Sequence, residues 1–217
     1  MECEKIKLLK DQVESLGGSL VAVSKTVDEA RVKEAYACGL RDFGENYLSE
    51  ACSKIENLSD LSIRWHYLGR VQTGTLNKLI NRFSLIHTIA KLEHLLKINE
   101  KTKAPQDVLI QIKHPLDKRD YGVLEEDLDE FLKTAFKLEN INVLGLMFIA
   151  PLDMSGEEIG LSFLWAKKHF DRVRKSLGLE QQKNWSVLSM GMSGDFIDAL
   201  KHGATHVRLG RSIFGER

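Results

Sequence analysis

Residues 20–25 read LVAVSK, an apolar run that ends in a serine and then in Lys25. The chain turns polar directly afterwards, so the run predicts a buried strand whose C-terminal end carries Lys25. An amine placed there points into the mouth of a fold, where desolvation can lower the pKa of a lysine and make it a nucleophile toward an aldehyde. A lysine that closes a strand is also commonly a solvated strand end, so the rest of the chain has to decide between the two.

Short apolar runs of this kind recur along the chain and alternate with amphipathic segments. The predicted strands cover residues 20–24, 42–45, 64–69, 85–89, 108–112, 143–150, 187–190 and 206–209. Nearly continuous apolar strands are typical of a parallel sheet that is covered on both faces. Apolar side chains spaced three and four apart predict helices, with stripes at Ile6, Leu9, Val13 and Leu16, at Leu124, Leu128, Phe131, Ala135 and Leu138, and at Phe163, Ala166, Phe170, Val173 and Leu177.

Eight β/α units in succession predict the α/β class and a closed (β/α)8 TIM barrel, as one domain spanning residues 1–217. The competing fold is an open doubly wound sheet, which normally has a glycine-rich turn after its first strand. Residues 24–28 read SKTVD and contain no glycine, so the barrel is favoured.

Composition excludes several classes of function. Lysine plus arginine equals aspartate plus glutamate at 31 each, which disfavours nucleic acid as the main partner. No apolar stretch approaches a membrane span, and the charged N-terminal segment is unlike a signal peptide, so a cytoplasmic protein without membrane contact is expected. Cys3, Cys38 and Cys52 lack CxxC spacing, which predicts reduced thiols rather than a disulfide framework or a zinc site.

In a barrel of this kind, the C-terminal ends of the strands and the loops after them form the functional face. The second strand ends in FGEN at residues 43–46. Gly44 would allow the backbone to approach a ligand closely. Asn46 could bind a planar polar group or could simply cap the following helix.

The last two units contain two loops rich in glycine and serine, LSMGMSGD at residues 188–195 and VRLGRSIFG at residues 207–215. Ser193 is placed to begin a helix at residues 195–201, and Gly210 turns the chain into another short helix. Free N–H groups at helix starts bind anions, and these loops are the usual phosphate position in such barrels. Ordinary capping by serine is the simpler alternative, but the occurrence of two such loops favours a phosphate cup.

Arg208 lies inside the apolar eighth strand and therefore needs a partner. That partner is either a carboxylate within the barrel or an atom of a ligand. His66 and His87 lie on strands and are expected to be satisfied core side chains. The histidines show no HExxH or other metal-ligand spacing, so no metal site is predicted.

Taken together and in this order, six segments resemble the pyridoxal-phosphate homeostasis proteins, small single-domain barrels related to the N-terminal domain of bacterial alanine racemase. The matching segments are AVSKT at 22–26, FGENY at 43–47, WHYLG at 65–69, GLM at 145–147, LSMGMS at 188–193 and VRLGRSIFG at 207–215.

The resemblance implies that Lys25 carries pyridoxal 5′-phosphate (PLP) covalently, as an internal aldimine. It implies the following positions for the other groups of the cofactor: the phosphate at Ser193 and the backbone of Gly210, Arg211 and Ser212, the pyridine nitrogen at Arg208, and the lining at Asn46. A guanidinium only donates hydrogen bonds, so a ring nitrogen facing Arg208 stays unprotonated and the ring is a poor electron sink.

In alanine racemase the second acid–base group comes from another domain across a dimer interface, and this chain stops after its eighth unit. The resemblance therefore implies a monomer that binds, buffers or delivers PLP, with PLP-dependent apo-enzymes as recipients and no catalytic residue. One alternative is a weak PLP-dependent amino-acid racemase or another imine-forming enzyme, whose second acid–base group would be Tyr47, Tyr67 or His66. Another is a barrel that binds an ordinary phosphorylated metabolite and uses Lys25 as a Schiff-base former.

The chain departs from the family pattern at three places. Residues 73–75 read TGT where Ser-Asn-Lys is usual, Val27 replaces a lysine, and Asp120 stands where a lysine is expected. A lost positive charge near the cofactor mouth would weaken phosphate attraction, which Lys113 or Lys118 could compensate.

Overall fold

Eight parallel strands close into a barrel in chain order, so the predicted (β/α)8 barrel is confirmed. The computed structural model describes residues 3–216, and the predicted domain ends at residues 1 and 217 lie outside the described residues. The strands are β1 Ser19–Val23, β2 Asp42–Glu45, β3 Arg64–Tyr67, β4 Leu85–Ile89, β5 Gln106–Gln111, β6 Ile141–Met147, β7 Val187–Ser189 and β8 His206–Leu209.

Helices follow the strands and cover the barrel. They are α1 Cys3–Ser15, α2 Glu29–Ala37, α3 Leu48–Asn57, α4 Leu76–Leu79, α5 Leu92–Lys101, α6 Leu128–Ala135, α7 Glu157–Ser176, α8 Leu179–Asn184, α9 Phe196–Lys201 and α10 Arg211–Phe214. Most residues of the predicted stripes face inward, as Val13, Phe131 and Phe163 show by their burial in one continuous core. Leu16 and Leu124 are exposed, because they lie beyond the ends of α1 and α6. Within residues 3–216, no helix is both long enough and apolar enough to cross a membrane.

Five predicted strands are too long at their C-terminal ends. The excess is one residue beyond Val23 in β1, Gln111 in β5 and Ser189 in β7, and two or three residues beyond Tyr67 in β3 and Met147 in β6. The apolar residues beyond those points belong to loops, and two of them, Leu68 and Ile149, line a cavity at this end of the barrel. An apolar run therefore continues past its strand where the loop itself is buried.

The pairing of β1 with β8 closes the barrel. Val21 lies opposite Arg208 and Ala22 opposite Leu209 in this parallel register. Because parallel strands end at the same side of a sheet, the residues that follow β1 and β8 meet at one rim. Lys25 and the loop at 210–212 therefore become neighbours, although they are far apart in sequence.

The prediction of reduced thiols is wrong for one pair of cysteines. Cys3 in α1 and Cys38 after α2 form a disulfide with a Cα–Cα distance of 5.0 Å, and Cys52 is a free thiol. The two helices are packed on the same side of the barrel, which brings together cysteines 35 residues apart in sequence. No local spacing in the sequence signals such a tertiary contact.

Gly145 in β6 offers a test of strand packing. It has a φ of 149°, and a Cβ added there would lie 1.9 Å from the carbonyl oxygen of Val187. We expect Gly145→Ala to lower the free energy of unfolding by about 3 kcal/mol, measured by urea denaturation. Gly39→Ala is the matched control, because Gly39 also has a positive φ, 102°, but open space around its Cβ position. It should cost only about 1 kcal/mol, and equal losses at the two sites would show that the contact with Val187 is unimportant.

Candidate functional site

A cavity of about 530 Å³ opens at the C-terminal ends of the strands. Its volume falls within the range of about 300–1,000 Å³ that is usual for small-ligand sites. The lining brings together six of the seven predicted site residues: Lys25, Asn46, Ser193, Arg208, Gly210 and Arg211. Ser212 is not part of this lining and instead contacts it through its backbone, since its N–H donates to the hydroxyl of Ser193 at 3.4 Å.

Arg208 is buried in the wall of this cavity, with 5% of its surface exposed. Its guanidinium donates to the hydroxyl of Ser189 at 2.8 Å and to the carbonyl oxygen of Phe148 at 3.0 Å. Burial lowers the pKa of Arg208 to about 10, so the group remains charged at neutral pH. Within residues 3–216, Arg208 forms no ion pair, although the charge of Asp195, which lines the same cavity, favours the charged form of Arg208. A carboxylate inside the barrel and a ligand atom were the two predicted partners of Arg208; no carboxylate is bonded to it, and the ligand atom stays a prediction.

The two loops after β7 and β8 form one side of the cavity. The backbone N–H groups of Ser193, Gly194 and Arg211 have no acceptor among the described residues. The loop at 192–195 is held in shape by Asp195, whose carboxylate accepts the backbone N–H of Met192 at 2.6 Å. Burial raises the pKa of Asp195. Unpaired N–H groups from both loops therefore face a common space, which suits an anion with several oxygens.

The helix after β7 begins one residue later than the sequence predicts. Helix α9 begins at Phe196 with Asp195 before it, rather than at residue 195 with Ser193 as its starting residue. Ser193 is instead left free to join the two loops through its hydroxyl.

Of the two residues predicted to contact a ligand at the end of β2, Asn46 lines the cavity and Gly44 does not. Asn46 lines the cavity and does not cap α3, whose preceding residue is Tyr47 without a side-chain cap. Gly44 is not part of the cavity lining, and its close approach to a ligand stays a prediction. A Cβ there would meet the side chains of Leu68 at 2.5 Å and Val21 at 3.1 Å, so Gly44 makes room for packing inside the barrel.

The residues proposed as a second acid–base group lie outside the cavity lining. Tyr47 is 54% exposed on the surface. Tyr67 is buried and donates to the carbonyl oxygen of Arg70 at 3.4 Å. His66 is buried below the cavity and is hydrogen-bonded to other side chains of the barrel interior.

The departures from the family pattern are also located away from this cavity. Asp120 lines a separate depression of about 280 Å³ together with Lys113 and two other basic residues. The expected loss of positive charge therefore falls in this depression and not in the cavity that Lys25 lines. Lys118 is exposed and paired with Asp153 at 2.7 Å. Val27 packs in the core, and residues 73–75 form a short 3-10 turn.

A buried cluster of charges lies directly behind Lys25, on the outer side of the barrel wall. The ammonium of Lys54 in α3 contacts Glu45 at 2.8 Å and Glu50 at 2.6 Å, and it donates to the carbonyl oxygen of Ser24 at 2.6 Å. We call Glu45, Glu50 and Lys54 the backbone clamp. Lys54 is 3% exposed and Glu45 is fully buried.

The clamp holds the chain on both sides of Lys25. Before it, the hydroxyl of Ser24 donates to Glu45 at 2.6 Å. After it, the backbone N–H of Thr26 donates to Glu50 at 2.7 Å. Thr26 has a φ of 58°, a conformation that a threonine adopts only when its surroundings enforce it. The clamp therefore fixes the turn that aims Lys25 into the cavity.

Sequence reasoning missed this cluster because a lysine in a charged amphipathic helix is normally solvated. A signal was present, however. Ala51, Lys54 and Leu58 follow one another at spacings of three and four, and the structure buries all of them. A lysine on the apolar face of a helix has to find a buried anion, which in this chain is Glu45.

We expect Lys54→Met to lower the free energy of unfolding by about 3 kcal/mol at neutral pH, because it leaves buried carboxylates without their cation. Burial already raises the pKa of Glu45, and loss of Lys54 raises it further. A carboxyl whose pKa is higher in the folded than in the unfolded protein contributes stability that is fully present below its unfolded pKa and is lost as the pH rises through its folded pKa. The loss of unfolding free energy in Lys54→Met should therefore shrink as the pH falls from 8 to 5. Urea denaturation at both pH values measures it.

Lys133→Met is the matched control, because Lys133 makes an exposed pair with Glu130 at 3.4 Å. It should change the unfolding free energy by no more than about 0.5 kcal/mol at either pH. A Lys54→Met deficit that is independent of pH would mean that Glu45 does not depend on Lys54.

Comparison with known proteins places this geometry in a family. Residues 4–217 match the family model for the N-terminal domain of alanine racemase. The pyridoxal phosphate homeostasis proteins of Aquifex aeolicus and Synechocystis sp. are 37% and 38% identical to the chain over 205 residues. That alignment covers 91% of this chain in both cases, and 86% and 91% of the two relatives.

A solved structure supports the same assignment. PipY of Synechococcus elongatus, determined with PLP bound, superposes with a TM-score of 0.89 at 33% identity, covering 98% of this chain and 99% of PipY. The resemblance found in the sequence is thereby confirmed. The chain belongs to the alanine racemase N-terminal domain family and, within it, to the pyridoxal phosphate homeostasis proteins.

Proposed function

We propose that this protein binds PLP in the cavity at the C-terminal end of the barrel and serves PLP homeostasis by holding and releasing it. The observation that carries the proposal is the convergence of three kinds of group in one cavity. These are the amine of Lys25, the buried cation of Arg208 and the unpaired N–H groups of the loops at 192–195 and 210–212. PLP has one group for each: an aldehyde, a ring nitrogen and a phosphate.

Lys25 binds the cofactor covalently and reversibly. With PLP bound in the cavity, the amine of Lys25 would be the group that condenses reversibly with the aldehyde, with loss of water. No oxidant or reductant takes part, so hydrolysis returns the amine and the aldehyde unchanged. The reversibility of this bond is what suits it to buffering and delivery.

The phosphate is held by backbone N–H groups rather than by a metal. Ser193 joins the two loops, so their N–H groups are preorganised for a dianion before it arrives. Arg211 adds a positive charge at the rim, where its guanidinium is exposed and pairs weakly with Glu216 at 3.9 Å. Among residues 3–216, the structure has no cluster of metal-ligating side chains.

Arg208 opposes catalytic turnover. A guanidinium facing the ring nitrogen donates to it and leaves it unprotonated, which weakens the ring as an electron sink. The described part of the lining also contains no tyrosine or histidine that could act opposite Lys25. Its carboxylates are engaged otherwise, Asp195 with the backbone of Met192 and Glu216 with Arg211.

The proposal extends to the setting of the protein. We infer a single domain over residues 1–217 that acts as a monomer in the cytoplasm and passes PLP to PLP-dependent apo-enzymes. The names of the relatives, which are homeostasis proteins, support a role in supply rather than in amino-acid conversion.

The covalent site can be tested by absorbance. After incubation with PLP and removal of the excess, we expect the wild type to show a visible imine band, and borohydride to fix the cofactor on the peptide that contains Lys25. Lys25→Ala should lose both the band and the labelled peptide, because the amine is gone. Spectra and peptide mass measurement read out the result.

Lys118→Ala is the matched control, since Lys118 is exposed and outside the cavity, and it should behave as the wild type. Labelling of several lysines without preference would contradict the covalent site. Turnover of alanine at an ordinary enzyme rate, on the order of 1 per second or faster, would contradict the proposal of a binder without catalysis.

The phosphate loops can be tested by comparing PLP with pyridoxal, which lacks the phosphate. We expect Ser193→Ala to weaken PLP binding about tenfold, because one hydroxyl that holds the loops together around a charged group is lost. Binding of pyridoxal should change little, and titration followed by absorbance measures both. An equal loss for the two ligands would argue against phosphate recognition by these loops. Equal affinity of the wild type for other phosphate esters would favour the phosphorylated-metabolite alternative.

A further inference from the structure

A chain of buried polar side chains runs through the interior of the barrel and ends at Arg208. Its members are Asp42 on β2, His66 on β3, His87 on β4, Ser189 on β7 and Arg208 on β8. We call these five residues the barrel relay. Of these five residues, only Arg208 lines the cavity, and the proposed function gives no role to the other four. The sequence alone predicts both histidines to be ordinary core side chains.

Each neighbouring pair in the relay is within hydrogen-bond distance. Asp42 lies 3.0 Å from Nε2 of His66, and Nδ1 of His66 lies 2.9 Å from Nε2 of His87. Nδ1 of His87 then lies 3.0 Å from the hydroxyl of Ser189, which accepts from Arg208 at 2.8 Å. All members except Asp42 are buried, and His87 and Ser189 are fully so.

The two ends determine the direction of every bond. Asp42 is an ionised carboxylate, because hydrogen bonds from His66 and Arg64 and the charge of Arg64 hold the pKa of its carboxyl well below the usual range despite burial. A carboxylate only accepts and a guanidinium only donates. The Nε2–H of His66 therefore donates a hydrogen bond to Asp42, which leaves Nδ1 of that ring to accept a hydrogen bond from Nε2–H of His87.

The same reasoning assigns the inner half. His87, which donates through Nε2, accepts at Nδ1 from the hydroxyl of Ser189, and the Ser189 oxygen accepts from Arg208. Every donor then has an acceptor, and both rings are neutral with the proton on Nε2. Burial and the neighbouring charge of Arg208 lower the pKa of His87 well below its ordinary value, in agreement with a neutral ring.

The opposite direction leaves a group without a partner. It requires a charged His66 that donates from Nδ1 to His87, and a His87 that donates from Nδ1 to Ser189. The Ser189 oxygen would then accept twice and its hydroxyl proton would have no partner in a fully buried position, which costs free energy. It would also place a further positive charge near Arg64 and Arg208, the cations that face the relay. His206 faces it as well, but burial lowers the pKa of His206 to about 4.

We propose that Asp42, His66, His87 and Ser189 are positioning residues that hold the guanidinium of Arg208 in place, through a relay in which both histidines carry their proton on Nε2. The bonds to Ser189 and to the carbonyl oxygen of Phe148 fix two of the N–H groups of Arg208, and the others remain free to face the cavity. Because the relay offers Arg208 only acceptors, the arginine keeps its charge and acts as a donor toward the ligand. This last step rests on the proposed PLP site, whereas the assignment of the histidine protons does not.

The experiment measures ¹⁵N chemical shifts and two-bond ¹H–¹⁵N couplings of the histidine rings in the protein without added PLP. At pH 7 we expect the Nε2–H tautomer for both His66 and His87. In Ser189→Ala, Nδ1 of His87 should shift toward the value of a nitrogen without a hydrogen bond, while the tautomer of His66 persists. Ser162→Ala is the matched control, since Ser162 is also buried but bonds only within α7, to the carbonyl oxygen of Ile159 at 2.7 Å. It should leave both rings unchanged.

The ligand arm uses pyridoxine 5′-phosphate, which has the ring nitrogen and the phosphate but no aldehyde and so cannot bond covalently to Lys25. We expect Ser189→Ala to bind it about tenfold more weakly than the wild type and Ser162→Ala to bind it equally well.

The two arms separate the relay from the PLP site. An Nδ1–H tautomer or a charged ring at either histidine in the wild type would overturn the relay, and this result does not depend on whether Ser189→Ala folds. The expected tautomers without any binding of the phosphate probe by the wild type would support the relay and overturn the PLP site. Binding by the wild type with equal affinity in Ser189→Ala would overturn the positioning of Arg208.

Discussion

The pairing of β1 with β8 is the constraint on which this site depends. The first and last strands meet in a fixed parallel register, with Val21 opposite Arg208. This closure places Lys25, which follows β1, beside the loop that follows β8, and it places Arg208 in the wall between them. An open sheet with the same strands would leave these groups at opposite edges, so the cavity is a product of closure and not of any local motif.

Two buried polar networks approach this closure from opposite sides of the barrel wall. The backbone clamp lies outside the wall, between β1, β2 and α3, and restrains the residues on either side of Lys25. The barrel relay lies inside and restrains Arg208. Burying charges costs free energy unless each is paired and hydrogen-bonded, and apolar packing of the same volume is often at least as stable. Apolar side chains, however, could not fix the positions of an amine and a guanidinium as directional hydrogen bonds do. Both networks therefore cost stability and in return fix the positions of Lys25 and Arg208 at the cavity.

The fold and most of the cavity could be predicted from the sequence, for a physical reason. Parallel barrel strands are buried on both faces, so they read as apolar runs, and functional residues follow them at predictable places such as Lys25 and Ser193. Contacts between side chains distant in sequence could not be predicted in the same way. The disulfide between Cys3 and Cys38 depends on how two helices pack. The roles of His66 and His87 depend on inward-facing positions on adjacent strands that the single sequence does not align. A glycine lets another group come close to the backbone, but the sequence does not show whether that group is a ligand or a side chain. At Gly44 the structure places the side chain of Leu68 there.

The electrostatics of the cavity favour holding a ligand over converting it. A proton on the ring nitrogen strengthens the ring as an electron sink for carbanion chemistry, and a carboxylate facing that nitrogen favours the proton. Here the facing group is a cation whose only described hydrogen bonds are to acceptors, a hydroxyl oxygen and a carbonyl oxygen. Asp42, the carboxylate of the relay, is separated from Arg208 by three side chains and is already paired with Arg64 at 2.5 Å. The charge of Asp195 also acts on Arg208, but no carboxylate among the described residues is hydrogen-bonded to the guanidinium. In the proposed function, the same residues favour reversible binding of a ligand that carries a phosphate and a ring nitrogen over conversion of amino acids.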